Sequence, residues 1–469
     1  MRTREPLGPL VAAAFVVAAS GVELPNPLTL EAALSAAFAH NRALARGQLR
    51  VIERELAAEE ARARFLPSVS PLVQGAELGN DVQWTYGVQV VQPTRYGSQI
   101  GAAATATDRE AGFARERTLS VDLRQPLLRR FGRAVAEEPV RAASDQYRAE
   151  RRAWEQQRAD LALRLVELME AIPRLDAQLS LESSRRDRLE RLAALVRTRE
   201  RQGRAGAVDT LRMEQSLAEA DARLAALRER RESLTRELGL HLGAALPADL
   251  AIEPPAAVAL DLPDLAVAVG IAFSNRLDLA QAHDDLAAAG RHSAIARRGG
   301  WPDLTLHATI RHTLFEGAVA AEDRRTDWFA GLSADGFPWR AVERIARERA
   351  DLAEAGAEAA VALRRETIAR EVADALAACR RAAAELQIAA RHRELADRHL
   401  RAARRLYESG RGDAWSLADG ESRHAAAEHR WIEVASAARL SAYALMHTLG
   451  TLIEHPADLR PPTASGATP

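Results

Sequence analysis

Hydrophobic residues recur along the chain with two different periods, and the pattern with the shorter period predicts β-strands. In residues 303–310, DLTLHATI, apolar and polar side chains alternate, and the apolar ones are Leu304, Leu306, Ala308 and Ile310. Residues 118–124, TLSVDLR, alternate in the same way. A period of two is typical of strands, and an apolar row opposite a polar row suits a strand between lipid and water. Both segments therefore predict membrane-spanning strands.

The second pattern predicts long helices. Tracts rich in Ala, Leu, Arg and Glu cover residues 29–64, 139–202, 211–242 and 340–409. The tract 139–202 would be roughly 96 Å long at the rise of an α-helix, and Pro173 near its middle predicts a kink. We expect a mainly α fold in which two short helices stack end to end beside one long helix, once in each half of the chain.

The halves are copies of one another. At an offset of 235, Phe38, Leu44, Arg62 and Pro67 recur as Phe273, Leu279, Arg297 and Pro302. At an offset of 207, Gly203, Glu214 and Leu242 recur as Gly410, Glu421 and Leu449. The first copy is thus 28 residues longer (235 minus 207), and 23 of these lie between Pro67 and Pro126. They correspond to residues 84–107, which we interpret as an added hairpin, inside or outside the membrane.

The N-terminus predicts export from the cytoplasm. It has two arginines, an apolar run too short to span a bilayer, and small residues before Gly21, as in a signal peptide. No later apolar run approaches the roughly 20 residues of a membrane helix, so insertion would need strands closed into a barrel. The expected domains are a signal peptide over 1–20, a first repeat over 21–245 (strands in 66–126, tip turn near 203), a linker over 246–265, a second repeat over 266–452 (strands in 301–339, tip turn near 410) and a disordered tail over 453–469.

Composition argues against nucleic-acid binding and against catalysis. The 64 basic residues are balanced by 65 acidic ones, so the charge excess of a nucleic-acid binder is missing. The chain has no lysine, which excludes a Walker lysine, and no GxSxG, HExxH or CxxC motif. We expect no enzyme activity, no cofactor and no metal site. The lone Cys379 is interpreted as a packing residue.

The histidines are spaced too widely for ligands on one helix face. His392 and His399 are seven positions apart, and His424 and His429 are five apart, whereas adjacent ligands need three or four. We interpret them as residues of solvated helix faces. The same interpretation applies to the run His283, Asp284 and Asp285, because neighbouring residues diverge around a helix.

Several motifs together resemble the TolC family of outer membrane channel proteins. They are the opening LTLEAALSAAFAHNRALA, its partner AFSNRLDLAQA, the junction RFLPSVS, the exit DLRQPLLRRFGR and two glycine turns, GRAGAVDTLRMEQ and GRGDAWSLADGES. The resemblance implies a homotrimer in which each protomer gives four strands to a shared barrel and its helices to a periplasmic α-barrel. It further implies location in the outer membrane, contact with lipid, a periplasmic adaptor and an inner-membrane transporter as partners, and a role in efflux or type I secretion.

The resemblance also implies a periplasmic gate beside the two glycine turns. Carried over by position, the gate residues are Asp209, Tyr407, Arg411 and Asp419. The adaptor would contact the turns at Gly203, Gly206, Gly410 and Gly412. Gly412 departs from the family, which has a gating arginine there, and Ser416 stands where Asp is common. All these residues could equally be solvated turns or helix caps.

Two functions remain open from the sequence. The first is a trimeric outer membrane export channel. The second is a secreted periplasmic coiled-coil adaptor or scaffold whose strands form a small separate β domain. Amphipathic strands at matching places in both copies favour the channel, because a scaffold does not need a lipid-facing row.

Overall fold

The computed structural model describes residues 25–78, 81–109, 114–202, 206–247, 250–257, 262–316, 323–335, 341–409, 411 and 414–461. The predicted signal peptide and the turn glycines Gly203, Gly410 and Gly412 lie outside these ranges. The chain forms two compact units. Among the described residues, the helical unit comprises those within 25–48, 153–277 and 365–461, and the sheet unit comprises those within 49–152 and 278–364.

The elements follow the same order in both halves of the chain. The first half contains α1 (Leu30–His40), α2 (Arg42–Ala63), β1 (Ser68–Leu78), β2 (Asp81–Pro93), β3 (Gln99–Arg109), β4 (Ala114–Pro126), the short α3 (Arg133–Ala136), α4 (Glu138–Arg201) and α5 (Ala207–Leu242). The second half contains α6 (Leu265–Asn275), α7 (Leu277–Gly299), β5 (Asp303–Glu316), β6 (Asp323–Asp335), α8 (Ala341–Glu408) and α9 (Ala414–Thr448). The duplication read from the sequence is therefore visible as repeated elements.

The first predicted helix is two helices rather than one. Asn41 ends α1 with extended backbone angles, φ −68° and ψ 119°. Its side-chain oxygen accepts hydrogen bonds from the backbone N–H groups of Ala43 and Leu44, at 2.9 and 3.1 Å. Asn is a favoured N-cap because its side chain satisfies backbone donors that have no partner in the first helical turn. The pattern of 29–64 concealed this break, since the helical periodicity resumes immediately.

The break is repeated in the second copy with different chemistry. Asn41 donates its side-chain N–H to the carbonyl of His241 at 2.9 Å. At the equivalent position Arg276 donates to the carbonyl of Thr448 at 3.3 Å. Each bond satisfies a carbonyl at the end of a return helix, α5 or α9, where no intrahelical donor remains. The duplicated geometry is kept although the donor residue has changed.

Glycines end both return helices for a steric reason. Gly243 and Gly450 both have φ +72°, in the left-handed region that favours glycine. A Cβ on Gly243 would lie 2.6 Å from the carbonyl oxygen of His40. A Cβ on Gly450 would lie 3.1 Å from the carbonyl carbon of Asn275. Both positions therefore need a residue without a side chain.

The core of the helical unit joins parts of the chain that are far apart in sequence. Buried apolar residues of α1, α4 and α5 pack together, with Leu165, Met169, Ile172 and Leu238 almost completely buried. The chain before α1 pairs with the linker, since Leu28 and Ile252 form an isolated parallel bridge. Leu250 is also buried in this core, so part of the linker belongs to the packed unit.

The long helix α4 is continuous over 64 residues and includes Pro173. The proline therefore does not end the helix. Across the described part of the chain, no helix is both long enough and apolar enough to cross a membrane.

The C-terminal region is more ordered than its composition predicted. Residues 457–459 form a 3-10 turn, and Leu459 is fully buried. Arg460 donates hydrogen bonds to the carbonyl of His455 at 2.7 and 3.0 Å. The prediction of disorder over 453–469 is wrong for 453–461, because buried apolar contact fixes this segment. Residues 462–469 lie outside the described ranges.

The described strands form one antiparallel sheet in the order β1-β2-β3-β4-β5-β6. The added segment 84–107 lies in β2 and β3, which pair with each other as a hairpin. The chain thus contains six described strands, which are the four that the family resemblance implies and the two of the added hairpin. The outer edges of β1 and β6 have no strand partner within the described residues.

Candidate functional site

One face of the sheet is apolar across its whole width. Because neighbouring strands keep a fixed register, residues fall into rows that cross all six strands. One row consists entirely of apolar side chains, in the order Val69, Val90, Ala102, Val121, Ile310 and Trp328. Ile310 is 58% exposed and Trp328 is 79% exposed. Exposed apolar surface of this extent is a feature of interaction or membrane surfaces in proteins.

The opposite face of the sheet is polar. The next row along the strands contains Ser70, Gln89, Ala103, Ser120, Arg311 and Asp327. Hydroxyl groups pair across the strands, with Thr85 and Thr107 3.1 Å apart. Thr309 donates to the Asp122 carboxylate at 2.8 Å. A sheet with one face suited to lipid and the other to water is the arrangement that membrane strands require.

The interface between α4 and α9 is lined with polar pairs in the helical unit. Two are ion pairs between arginine and glutamate, Arg188 with Glu421 at 2.9 Å and Glu170 with Arg439. The row also includes two histidine–carboxylate hydrogen bonds, His429 with Glu182 and His447 with Asp160, each at 2.9 Å. The residue numbers fall on α4 as they rise on α9, as antiparallel helices require. We call this set the α4–α9 ion-pair row. It links the long helix of the first copy to the return helix of the second.

Glu182 is the most heavily surrounded acid in this row. It is 1% exposed and faces Arg185 and Arg223 as well as His429. Burial opposes its ionisation, but the hydrogen bond from His429 and the nearby cationic charges outweigh burial. The pKa of Glu182 therefore lies below its ordinary value. An ionised carboxylate at this position is stabilised by the helix packing around it.

The interpretation of His424 and His429 as residues of a solvated helix face is wrong. His429 hydrogen-bonds Glu182 in the helix interface, and its side chain is 22% exposed. His424 is half-buried, and its Nδ1 atom is buried without a hydrogen-bond partner among the described residues. His392 and His399 are exposed, as the sequence suggested. Spacing on one helix could not reveal the partner of His429, because Glu182 lies on α4.

The run His283, Asp284 and Asp285 does not form a metal site in the described structure. Asp284 instead pairs with Arg152 at 2.8 Å and with Arg148 at 3.3 Å. No group of three or more His, Cys, Asp or Glu side chains suited to a metal ion occurs among the residues described.

Three of the four predicted gate residues have polar side chains in different environments. Asp209 accepts a hydrogen bond from the backbone N–H of Gly206 at 3.4 Å, next to the start of α5. Asp419 pairs with Arg423 at 2.7 Å on its own helix, α9. Arg411 is exposed, and its backbone N–H donates to the carbonyl of Leu406. Within one chain these three side chains do not form a shared network in the described structure.

Tyr407 is the buried member of the set. It is 6% exposed and packs among Leu192, Val196, Met213 and Leu417, so it joins α8 to α4, α5 and α9. The guanidinium of Arg199 lies 4.6 Å from the centre of its ring. Its hydroxyl is buried and makes no hydrogen bond to the described residues. An unsatisfied buried hydroxyl costs about 1–3 kcal/mol, so this conformation holds Tyr407 at a cost.

Comparison of the fold identifies similar solved structures. The outer membrane protein VceC from Vibrio cholerae matches with a TM-score of 0.69 and 17% identity over 90% of this chain and 96% of VceC. The Campylobacter jejuni outer membrane channel CmeC matches with a TM-score of 0.68 and 12% identity over 92% of this chain and 87% of CmeC. The open state of the Neisseria gonorrhoeae outer membrane channel MtrE matches with a TM-score of 0.68 and 18% identity over 90% of this chain and 89% of MtrE.

This chain has the outer membrane channel fold. The similarity extends over nearly the whole described chain and includes both the long helices and the strands. It confirms the mainly α fold with a strand-rich portion that the sequence predicted. No protein-family model and no curated protein sequence matches the chain. At identities below 20%, the common property is the fold itself.

Proposed function

We propose that this protein is an outer membrane channel that forms the exit duct of a tripartite efflux pump or a type I secretion system. The observation that carries the proposal is the apolar row from Val69 to Trp328, opposite a polar row on the same strands. Such a face is stable only when lipid or another apolar surface covers it. The channel fold of the similar structures supports lipid as the covering medium.

The unpaired edges of β1 and β6 support assembly from several chains. Unsatisfied N–H and C=O groups are costly in lipid, so a membrane sheet must close on itself. Six strands from each of three chains would give a barrel of eighteen strands in a homotrimer. All six strands share the apolar row, so the added hairpin, β2 and β3, would lie in the membrane. The strands have 11 to 14 residues, and a tilted membrane strand needs roughly 9–11.

The proposed partners follow from this arrangement. The helices would form a periplasmic duct, and the turns after α4 and α8 would meet a periplasmic adaptor, itself joined to an inner-membrane transporter. The turn glycines Gly203, Gly206, Gly410 and Gly412 are the proposed contact points. Nothing in this arrangement requires catalysis, a cofactor or nucleic acid.

We propose further that the turns hold the resting gate. Tyr407 supports this idea most directly, because its buried hydroxyl has no hydrogen-bond partner in the described chain. A rearrangement that exposed the hydroxyl would relieve this cost by allowing a partner in a neighbouring protomer or the adaptor. Arg411 and Asp419 follow Tyr407 in the second turn region, and Asp209 lies beside the first turn. The similarity to a channel in its open state gives a structural reason to expect two states.

Cell fractionation and mass measurement test the proposal. The full-length chain, expressed in a Gram-negative host, should appear in the outer membrane fraction and have the mass of three chains in mild detergent. Recovery as a soluble periplasmic protein would instead support the adaptor or scaffold function. A stable monomer in the outer membrane would contradict closure by three chains.

A further inference from the structure

Four helices of the sheet unit form a row that begins with α2 and ends with α8. Polar contacts join each helix to the next one. They are Arg50 with Glu150 at 2.7 Å from α2 to α4, Arg291 with Glu138 at 3.2 Å from α7 to α4, and Ser293 with Asp351 at 2.8 Å from α7 to α8. The order of the row is therefore α2-α4-α7-α8.

Helix α8 carries an exposed apolar stripe on the side away from α7. Successive positions of the stripe are three or four residues apart, and we call Val342, Ile345, Leu352, Gly356 and Ala359 the α8 stripe. All five are exposed, Leu352 by 72%. No described atom lies within 4 Å of a Cβ added to Gly356. At 3.6 residues per turn, these positions lie opposite the face that contacts α7.

Helix α2 carries a matching stripe at the other end of the row. We call Leu49, Ile52, Leu56 and Ala63 the α2 stripe, and its positions are separated by three, four and seven residues. Leu49, Leu56 and Ala63 are exposed, and Ile52 is half-buried. The opposite face of α2 contains the buried residues Ala58 and Ala61. A narrow stripe with alternating intervals of three and four is typical of a helix that packs against one further helix.

The same two ends of the chain's secondary structure are the open edges of the sheet. Strands β1 and β6 are the first and last strands of the sheet. Helix α2 ends four residues before β1, and α8 begins six positions after the last residue of β6. In the closed barrel proposed above, the β1 edge of one chain would pair with the β6 edge of the next. The α2 and α8 stripes would then meet at the same boundary between chains.

We propose that the α2 stripe of one chain packs against the α8 stripe of a second copy, and that this seam closes the row of helices into a ring. The two helices are antiparallel in this seam, because α2 runs toward the sheet and α8 runs away from it. Contacts between two different surfaces of identical chains form a ring when the rotation closes. The inference rests on the proposed function, since it uses the closure of the barrel by several chains.

The residue sizes along the two stripes are complementary. Leu49 lies 14 residues before the end of α2, and Gly356 lies 15 residues after the start of α8, so both are roughly 21–23 Å from the helix ends nearest the sheet. Leu49 would therefore face Gly356, and Ile52 would face Leu352. Glycine is unfavourable inside a helix but leaves room for a large neighbour. The space beside Gly356 is thus accounted for by a leucine of the next chain.

One charged residue interrupts each stripe, Glu59 in α2 and Arg349 in α8. Long charged side chains can lie along an apolar surface while their charged ends reach water. A polar residue in a helix seam also favours one register over others, at a cost in stability. These two residues are therefore compatible with a seam.

Exchanging the sizes of two residues tests the seam in the full-length protein. Gly356→Leu extends into space that is open in the single chain, so the chain should fold, but the added side chain should block the seam. We expect at least a tenfold loss of trimer in native mass spectrometry in mild detergent. Adding Leu49→Ala to this variant should restore the trimer.

Ala355→Leu is the matched control, because Ala355 is exposed and adjacent but lies outside the stripe. It should form as much trimer as wild type. Trimer formation by Gly356→Leu at the wild-type level would overturn the proposal. A loss that Leu49→Ala does not restore, or an equal loss in Ala355→Leu, would overturn it as well.

Cross-linking gives a second test that does not depend on the folding of a disrupted variant. In a Cys379→Ala background, Ile52→Cys with Leu352→Cys should be joined between chains by a short bis-maleimide, giving covalent dimers and trimers on denaturing gels. Each single-cysteine variant should remain monomeric on the same gels. Cross-links only within one chain, or none in an intact trimer, would mean that another surface covers the stripes and would overturn the seam.

Fractionation separates the two proposals. If the wild-type protein is absent from the outer membrane or is monomeric there, the proposed function fails and this inference fails with it. If the wild-type protein is an outer membrane trimer without the expected cross-links, only the seam proposal fails.

Discussion

The sheet and the α4–α9 interface differ in which side chains they expose and which they bury. The sheet leaves large apolar side chains such as Trp328 exposed, whereas the helical unit buries the carboxylates of Glu170 and Glu182. Considered without its surroundings, each region departs from the usual rule that apolar groups lie inside a protein and charges outside. The sheet is consistent with that rule only if its outer medium is apolar. The helices are consistent with it because each buried acid has a cationic partner.

The difference shows which surroundings each region depends on. The apolar face needs a covering that the single chain does not provide. The ion-pair row is satisfied within the chain, so its effect is on helix packing. Substitutions on the sheet should therefore affect membrane assembly, and substitutions in the row should affect stability.

The largest effect, a loss of membrane assembly, is expected from a substitution in the apolar row. Val121→Arg places a charge on the face proposed to contact lipid, which costs about 2–4 kcal/mol near the bilayer midplane, in each of the proposed three chains. We expect little or no trimer in the outer membrane, measured by fractionation and native mass spectrometry.

Ser120→Arg is the matched control, because residue 120 is adjacent in β4 but belongs to the polar row. It should assemble nearly as well as wild type. Equal loss in both variants would show that the two faces do not differ in their surroundings.

The next largest effect, a loss of thermal stability, is expected from a substitution in the α4–α9 ion-pair row. Glu170→Ala leaves Arg439 without its partner in the interface. Removing one member of a buried pair typically costs about 3–5 kcal/mol, and the 35% exposure of Arg439 should keep the loss near the lower end. The midpoint of thermal unfolding, followed by far-ultraviolet circular dichroism, should fall.

Glu167→Ala provides the comparison on the same helix. Glu167 and Arg164 form an exposed pair, and exposed pairs contribute about 0–1 kcal/mol. Alanine is the best helix former, so helix propensity would not lower the midpoint in either variant. A fall as large as that of Glu170→Ala would show that the buried pair contributes no more than an exposed one.

A smaller, pH-dependent effect is expected at Glu182. Its pKa is lowered in the folded protein, so its stabilising contribution is present above the ordinary pKa of glutamate. The contribution is lost as the pH falls through the lowered value. Wild type should exceed Glu182→Gln in unfolding midpoint at neutral pH, and this advantage should shrink on acidification. An advantage that grew in acid would contradict the assigned direction.

The smallest effect on stability is expected at Tyr407. Tyr407→Phe removes a buried hydroxyl that has no hydrogen-bond partner among the described residues, so the unfolding midpoint should not fall and should rise slightly. Combined with Arg411→Ser, it should raise the resting conductance of single channels in planar bilayers if these residues belong to the gate. Unchanged conductance with intact trimers would assign closure to other residues.

Much of the fold could be predicted from the sequence because its signals are local or repeated. Alternation in 303–310 predicts a strand whatever its neighbours, and an offset of 235 reveals the duplication directly. The break at Asn41 was not predicted, since both flanking helices continue the same periodicity. The buried segment 453–461 was missed for a related reason, because its polar, proline-rich composition does not show what Leu459 packs against.

The candidate sites depend more strongly on tertiary structure. The gate residues were selected by their distance from two glycines, but only the folded chain shows that Tyr407 is buried while Arg411 is exposed. Glu182 and His429 are 247 residues apart, so no local pattern indicates that they meet.

The sequence by itself determined where strands and helices occur and that they occur twice, because side-chain periodicity and repetition are properties of the linear chain. Only the tertiary structure decided which apolar residues align into a continuous row across six strands and which charges face each other between α4 and α9. Both depend on the register between elements that are distant in sequence. That register is set by backbone hydrogen bonds and by packing, and a shift of one residue in a strand would turn its apolar side chains to the other face.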